Sequence, residues 1–354
     1  MGTTHAAAPI RPTLSFCVEQ MAARGHDPAR LLAGSGLRQD SYQQPQAVVS
    51  PQQELLIYRN ILSLAGTDAI GLELGRAVHL NSIGILGALL SNAADLGHAG
   101  YLMRRFHLLS SPWFVSELIG ELEPGKLLVR YKQTSNMGNL GTLGDVGDPG
   151  GLYRLIIDRD IRGTLGLLVR IFGAGAAGFI SGIAFGYRQP ANARRYRAEF
   201  GCPVSFGHEY TYVTFDNSLA GLKNPQRCGI AYNIYLRLCR DALSDYAPAS
   251  WHRRVTNLLS SGDDYPKAED MAARLNCSER SLRRHLNAEG FQYSELVDRV
   301  RFDRAAYLLT HSRDPIKKIG FQLRYSEPPN FVHAFTRWAG MSPTRFRDAA
   351  IKMK

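Results

Sequence analysis

Ser278, Arg280, Arg283 and Arg284 stand close together in "CSERSLRRHLNAEG" (277–290), with His285 directly after them. The arginine guanidinium presents its N–H groups in a fixed fork, which suits a planar edge carrying two acceptors. A serine at the head of a helix accepts a bond from an early backbone N–H. On a helix, positions 280, 283 and 284 share one face, while Leu282 and Leu286, four apart, form an apolar pair that turns inward. Such a helix is either an ordinary solvated face or a surface that meets a polyanion. A lone basic run does not decide between them, because such runs are usually solvated.

The neighbouring elements decide it. "KAEDMAARLN" (267–276) reads as a short helix with Met271, Ala272 and Leu275 on its buried side, and Asn276 and Cys277 make a tight turn before Ser278. A helix, a turn and a second helix with a basic first turn form a helix-turn-helix, whose second helix enters the major groove, where arginine binds guanine bidentately. Gly290 closes that helix, and "FQYSELVDRVRFDRAAYLLTHS" (291–312) reads as a longer one. Its central ~17 residues would span about 25 Å. The pattern then repeats. "DPIKKIGFQL" (314–323) starts a helix near Pro315, "RYSE" turns, and "PPNFVHAFTRWAG" (328–340) forms a second reading helix. There Phe331, Phe335 and Trp338 are expected to face inward and Asn330, His333 and Arg337 outward. Two such heads on one connecting helix can reach successive major grooves about 34 Å apart. Lys317 and Lys318 are expected to meet phosphate or solvent, since phosphate contacts position the protein without reading sequence.

These C-terminal 100 or so residues resemble the AraC/XylS family of bacterial transcription regulators. Tyr325-Ser326-Glu327, Asn330-Phe331, Ala334-Phe335, Gly340, Ser342-Pro343 and Phe346-Arg347 fall in register with that family's signature. The resemblance implies base contacts from Arg280, Arg283 and Arg284 in the first unit (267–289), and Ser278 and Ser281 are expected to bind DNA beside them. In the second unit (315–339) it implies the region of Pro329, Asn330 and His333, with Ser326 and Arg337 expected to bind DNA there too. Two positions depart from the pattern: Arg324 stands where the family usually has glycine, and His333 where it often has arginine. With two prolines and a mostly uncharged histidine, the second head is expected to anchor more than it reads.

The preceding residues form a different kind of body. Helical patterns occupy 15–25, 50–66 (Ser50 as cap, Pro51 in the first turn), 83–110, 152–173 and 225–246. A hairpin is predicted over 113–133 around Pro124-Gly125, with further strands over 179–187 and 210–217. "RQPANARRYRAEFGCPVSFG" (188–207) resembles the effector-binding domain of the OruR/VirS-like branch of the same family, of arabinose-binding type, with Pro190, Tyr196, Phe200-Gly201, Pro203-Val204 and Phe206 in register. The expected architecture is an α+β N-terminal sensor domain followed by an all-α double helix-turn-helix DNA-binding domain. The expected boundaries are 1–245 for effector binding and dimerisation, 246–250 for a linker and 251–354 for DNA binding.

Charge follows this division. The 354-residue chain carries a net charge of +11, and from Trp251 onward 19 Lys and Arg face 12 Asp and Glu. Most of the excess therefore sits in the final third, as expected of a polyanion-binding module on a less charged body. No apolar run is long enough to span a membrane and the start lacks a signal-peptide pattern, so a cytoplasmic protein is expected. The five cysteines are scattered without CxxC spacing, and His79, His98 and His107 are dispersed; no metal or cofactor is implied.

The resulting expectation is a ligand-responsive activator, not an enzyme. Its partners would be an operator duplex, a small-molecule effector, RNA polymerase and a second copy of the chain; the effector residues remain unassigned. The alternatives are a constitutive or repressing factor whose first domain only dimerises, and a repair-type enzyme on the same module, with Cys202 as its nucleophile. A third is a nucleotide-second-messenger sensor using Arg194, Arg195 and Arg197 with the glycine-dense stretch 137–151.

Overall fold

The computed structural model describes residues 8–45, 47–134, 151–245, 251–262, 264–288, 291–339 and 341–351. The glycine-dense stretch 137–150, the expected linker 246–250, Gly290 and Gly340 lie outside the described residues. Two compact units divide between Ala242 and Leu243.

The first unit carries nine helices among the described residues: α1 (Pro12–Ala23), α2 (Pro28–Leu31), α3 (Pro51–Leu64), α4 (Ile70–Ala77), α5 (Ile85–Leu90), α6 (Leu96–Arg105), α7 (Leu152–Phe172), α8 (Ala193–Phe200) and α9 (Gly229–Asp245), the last ending past the division. Local chemistry starts several of them. Ser50 and Gln53 exchange bonds in a capping box at the head of α3, with Pro51 next, which satisfies two N–H groups that no turn of helix can reach. Asp95 caps α6 by accepting from the His98 N–H at 2.9 Å.

Strands β1 (Ala8–Pro9) and β2 (Val48–Val49) pair with each other. The main sheet holds β3 (Phe114–Glu123), β4 (Lys126–Gln133), β5 (Ile180–Phe185), β6 (Val204–Phe206) and β7 (Thr211–Asp216), in the order β3-β4-β7-β5-β6. All its neighbours are antiparallel except β5 and β6. Sheets and helices together make this unit α+β. The landmark 188–207 is largely a packing device: Tyr196, Phe200 and Phe206 surround Phe185, with ring centroids 5.3–6.3 Å apart. Helix α4 lies close on α7 because Gly71 and Gly75 face it. A Cβ at Gly71 would meet the Leu155 carbonyl oxygen at 2.5 Å.

The described part of the second unit is entirely helical: α10 (Trp251–Ser261), α11 (Ala268–Arg274), α12 (Glu279–Ala288), α13 (Tyr293–His311), α14 (Ile316–Gln322), α15 (Pro328–Ala339) and α16 (Pro343–Ile351). Leu282 and Leu286 pack with Val255, Leu259, Met271, Ala272 and Leu275 in one core, which Leu296 and Val297 of α13 complete. Further along α13, Phe302 packs against Phe335 (5.6 Å) and Trp338 (6.1 Å), and Phe335 packs against Phe331 and Phe346. One helix thus belongs to two cores. Trp338 is half-buried, in contrast to Phe331 and Phe335, which are fully enclosed. Among the described residues, no helix is long and apolar enough to cross a membrane.

Candidate nucleic-acid interface

Both turns rest on the same backbone device. Asn276 lies in the left-handed region (φ 53°), with the Cys277 N–H donating to the Ala272 carbonyl at 3.0 Å. Arg324 lies there too (φ 62°), with the Tyr325 N–H donating to the Gly320 carbonyl at 3.0 Å. Asparagine tolerates this conformation; arginine pays about 1–2 kcal/mol for it. That is why Arg324 departs from the usual glycine at a cost. Gly320 meets a second constraint: a Cβ there would press on the Phe331 Cβ at 3.2 Å.

On α12 the Ser278 hydroxyl accepts from the Ser281 N–H at 3.2 Å, so Ser278 is the N-cap. Arg280, Arg283 and Arg284 are all exposed, and with Glu279 and Asn287 they line one shallow concavity. Glu279 engages Arg283, with Nε to Oε1 at 2.7 Å. The Arg284 Nη2 donates to the Ser281 Oγ at 3.5 Å. Arg280 makes no hydrogen bond or ion pair among the described residues. An exposed pair one turn apart contributes only about 0.3–0.5 kcal/mol. Arg283 can therefore leave Glu279 for another partner at little cost.

His285 does not join this face. Its ring stacks on Trp251 of α10, with centroids 4.3 Å apart and planes parallel to 1°. It follows the arginines in sequence, but five residues from Arg280 is about 140° around a helix. Asn287 was missed; its place three and four residues beyond Arg284 and Arg283 is the signal that finds it.

On α15, Pro329, Asn330, His333 and Arg337 are exposed, as is Ser326 in the turn before it. Arg337 is held by Asp298 of α13 at 2.8 Å. Pro328 and Pro329 bring no N–H to the helix start, and the Asn330 N–H is taken by the Glu327 carbonyl at 3.1 Å. A helix N-terminus normally offers such donors to phosphate; this one has few left. Lys318 is committed to Asp314 (2.8 Å) and holds that carboxyl below the usual range. Lys317 is exposed and lies 5.9 Å from the Phe321 ring.

Arg301 of α13 was not anticipated. Its guanidinium sits 4.6 Å from the Tyr265 ring, which leads into α11, and 4.7 Å from the Tyr325 ring in the second turn. Cation–π contacts contribute about 0.5–2 kcal/mol each. One side chain thereby ties the segment before α11 and the turn before α15 to the helix between them, a partnership between residues 265, 301 and 325 that no sequence period reveals.

The features behind the alternative readings have other duties. Of the 194–197 cluster, Arg195 is engaged by Glu73 (3.2 Å) and Glu199 (3.5 Å), while Arg194 and Arg197 are exposed. Cys202 is buried, which pushes its thiol up to about 11 and keeps it protonated. A thiol in that state is a poor nucleophile.

Comparison with known proteins finds family matches in both units. Residues 25–224 match the family model described as the arabinose-binding domain of AraC transcription regulator, N-terminal, and residues 271–349 match a helix-turn-helix domain. The chain is 27% identical to the ornithine utilization regulator of Pseudomonas aeruginosa over 299 residues, covering 81% of this chain and 80% of that protein. It is 28% identical to the transcriptional regulator VirS of Mycobacterium tuberculosis, covering 78% of each. The crystal structure of the regulator CdpR from Pseudomonas aeruginosa aligns with a TM-score of 0.41 at 24% identity, covering 82% of this chain and 90% of that one.

Proposed function

From the premise that this chain belongs to the AraC family and is a DNA-binding transcription regulator, we propose that it is a ligand-responsive activator reading two successive major grooves. The carrying observation is the exposed face of Arg280, Arg283 and Arg284, backed by the fully buried Leu282 and Leu286. Arginine here can take the O6/N7 edge of guanine, while the Ser278 hydroxyl, already accepting the Ser281 N–H, keeps its proton for a phosphate oxygen. Ser281 flanks the same contact. In the second unit Ser326, Pro329, Asn330 and His333 face the duplex, and Arg337 joins only by leaving Asp298. The first head therefore dominates sequence readout and the second anchors. The first unit binds a small molecule and pairs with a second copy, and the ligand shifts an equilibrium between DNA-competent and incompetent states. The name of the ornithine utilization regulator fits such a small-molecule role. Bound beside a promoter, the protein recruits RNA polymerase.

The test is substitution. Arg284→Ala or Arg283→Ala should cost about 1–3 kcal/mol at the specific operator and much less on random duplex. Lys317→Ala should weaken both by the same factor. Parallel losses on specific and random DNA for all three variants would refute base reading by α12.

A further inference from the structure

On Arg105 the first unit holds two hydrogen-bond donors that meet no acceptor among the described residues. Arg105 ends α6, and its Nη1 donates to the Tyr101 hydroxyl at 3.3 Å. Its Nε and Nη2 are shielded from solvent and meet no acceptor among the described residues. Those two atoms form the edge of the guanidinium that binds both oxygens of a carboxylate. Leaving them unpaired is costly, since a buried polar group without a partner forfeits its hydration.

A second donor on α9 is linked to this place through His98, whose ring centroid lies 6.4 Å from that of Tyr101. The Ala94 N–H donates to His98 Nδ1 at 3.1 Å, which puts the ring proton on Nε2. That nitrogen lies 3.2 Å from the Tyr232 hydroxyl, which therefore accepts from His98 and has its own proton to give. Burial pushes the Tyr232 pKa up, and the cations opposing it are Arg105, Arg240 and Arg227. The groups meeting here are thus guanidinium N–H and phenol O–H donors among cations. Aromatic surface adjoins them, with the Arg105 guanidinium 5.3 Å from the Phe106 ring and 6.0 Å from the Tyr101 ring.

We infer that Arg105 and Tyr232, beside Tyr101 and Arg240, form the headgroup end of an effector site for a small organic carboxylic acid. The two-donor edge takes the carboxylate, Tyr232 donates to one of its oxygens, and the aromatic rings favour an acid with an apolar body over a fully hydrated inorganic anion. This assignment rests on the ligand-responsive reading and gives it a ligand class.

The experiment uses the full chain, wild type and Arg105→Gln, in thermal-shift and calorimetric titrations. The probes are hexanoate and benzoate, their uncharged amides, inorganic phosphate and a set of neutral sugars. The acids should raise the Tm of the wild type while amides, sugars and phosphate leave it unchanged, and Arg105→Gln should weaken acid binding at least tenfold. Without ligand, Arg105→Gln should melt close to the wild type, because the Tyr101 bond and ring contacts that it gives up are offset by removing a shielded cation that pairs with no carboxylate among the described residues; a purely structural arginine would lower the Tm and leave acid binding unchanged. Arg105→Lys, which keeps the charge and loses the fork, should also bind the acids at least tenfold more weakly. Acids that stabilise the wild type and Arg105→Gln equally would overturn the site and leave ligand response intact, as would stabilisation by only phosphate, amides or sugars. If no probe changes the Tm or operator affinity of the wild type, both the site and the ligand-responsive reading fall.

Discussion

Operator binding is expected to fall by about 10³–10⁵-fold between about 50 and 200 mM salt, the loss for a protein that neutralises 6–10 phosphates. Each lysine or arginine that meets a phosphate releases a condensed counterion, so affinity depends on salt with a slope near −0.9 per contact. The second unit can supply that number. Apart from the α12 arginines assigned to bases, Lys267, Arg313, Lys317, Arg324 and Arg345 are exposed, and Arg274 is engaged in an exposed pair with Asp264 that it can leave. Lys318 and Arg337 are tied to Asp314 and Asp298 and should add less. Fluorescence anisotropy on a fixed duplex across a salt series gives the slope. A change below tenfold over that range would mean that fewer than two phosphates are neutralised, too few for two docked heads.

Glu54→Ala is expected to destabilise the first unit by about 3–5 kcal/mol, the cost of stripping one partner from a buried ion pair. Glu54 is 1% exposed and serves three donors: Arg11 Nη1 at 2.8 Å, Trp113 Nε1 at 3.2 Å and the Tyr58 hydroxyl at 3.3 Å. Arg11, itself buried, also donates its Nε to the Leu108 carbonyl at 3.1 Å. Tyr58 carries the network on to Arg159, which Asp160 pairs at 2.6 Å. Alanine would leave the Arg11 guanidinium without its counter-charge and the indole N–H without an acceptor. Glu54→Gln keeps an acceptor for Trp113 and Tyr58 and should cost less. Urea unfolding of the full chain, resolved to the first unit by hydrogen exchange of its peptides, checks both. A loss under about 1 kcal/mol for the alanine variant would show that water or a rearranged side chain takes over.

Local signals account for what was legible in the sequence. Ser50-Pro51 started α3, Pro124-Gly125 turned β3 into β4, and the spacing of Leu282, Leu286, Phe331 and Phe335 marked buried faces, because caps, turns and helical periods act within a few residues. Ser342 before Pro343 was the same kind of signal for α16 and went unread; its hydroxyl accepts from the Arg345 N–H at 3.3 Å. Strand β6 is three residues long, too short for alternation to appear. The candidate interface was visible as residue types on a face, but its internal ties were not. Arg337 to Asp298, Arg301 between Tyr265 and Tyr325, and His285 on Trp251 each join residues far apart in the chain, and only packing brings them together.

The proposed inequality of the two heads rests on physical differences between α12 and α15. The first offers three exposed arginines and a serine cap. The second begins with two prolines, carries His333 where arginine would reach further, and holds Arg337 in an ion pair. Footprinting with every base pair of the operator replaced in turn measures this directly. Substitutions in the half read by Ser278–Leu286 should cost about 1–3 kcal/mol each at the guanines that arginine holds, and those in the half read by Pro328–Trp338 should cost clearly less. Equal penalties across both halves, or larger ones in the second, would contradict the account.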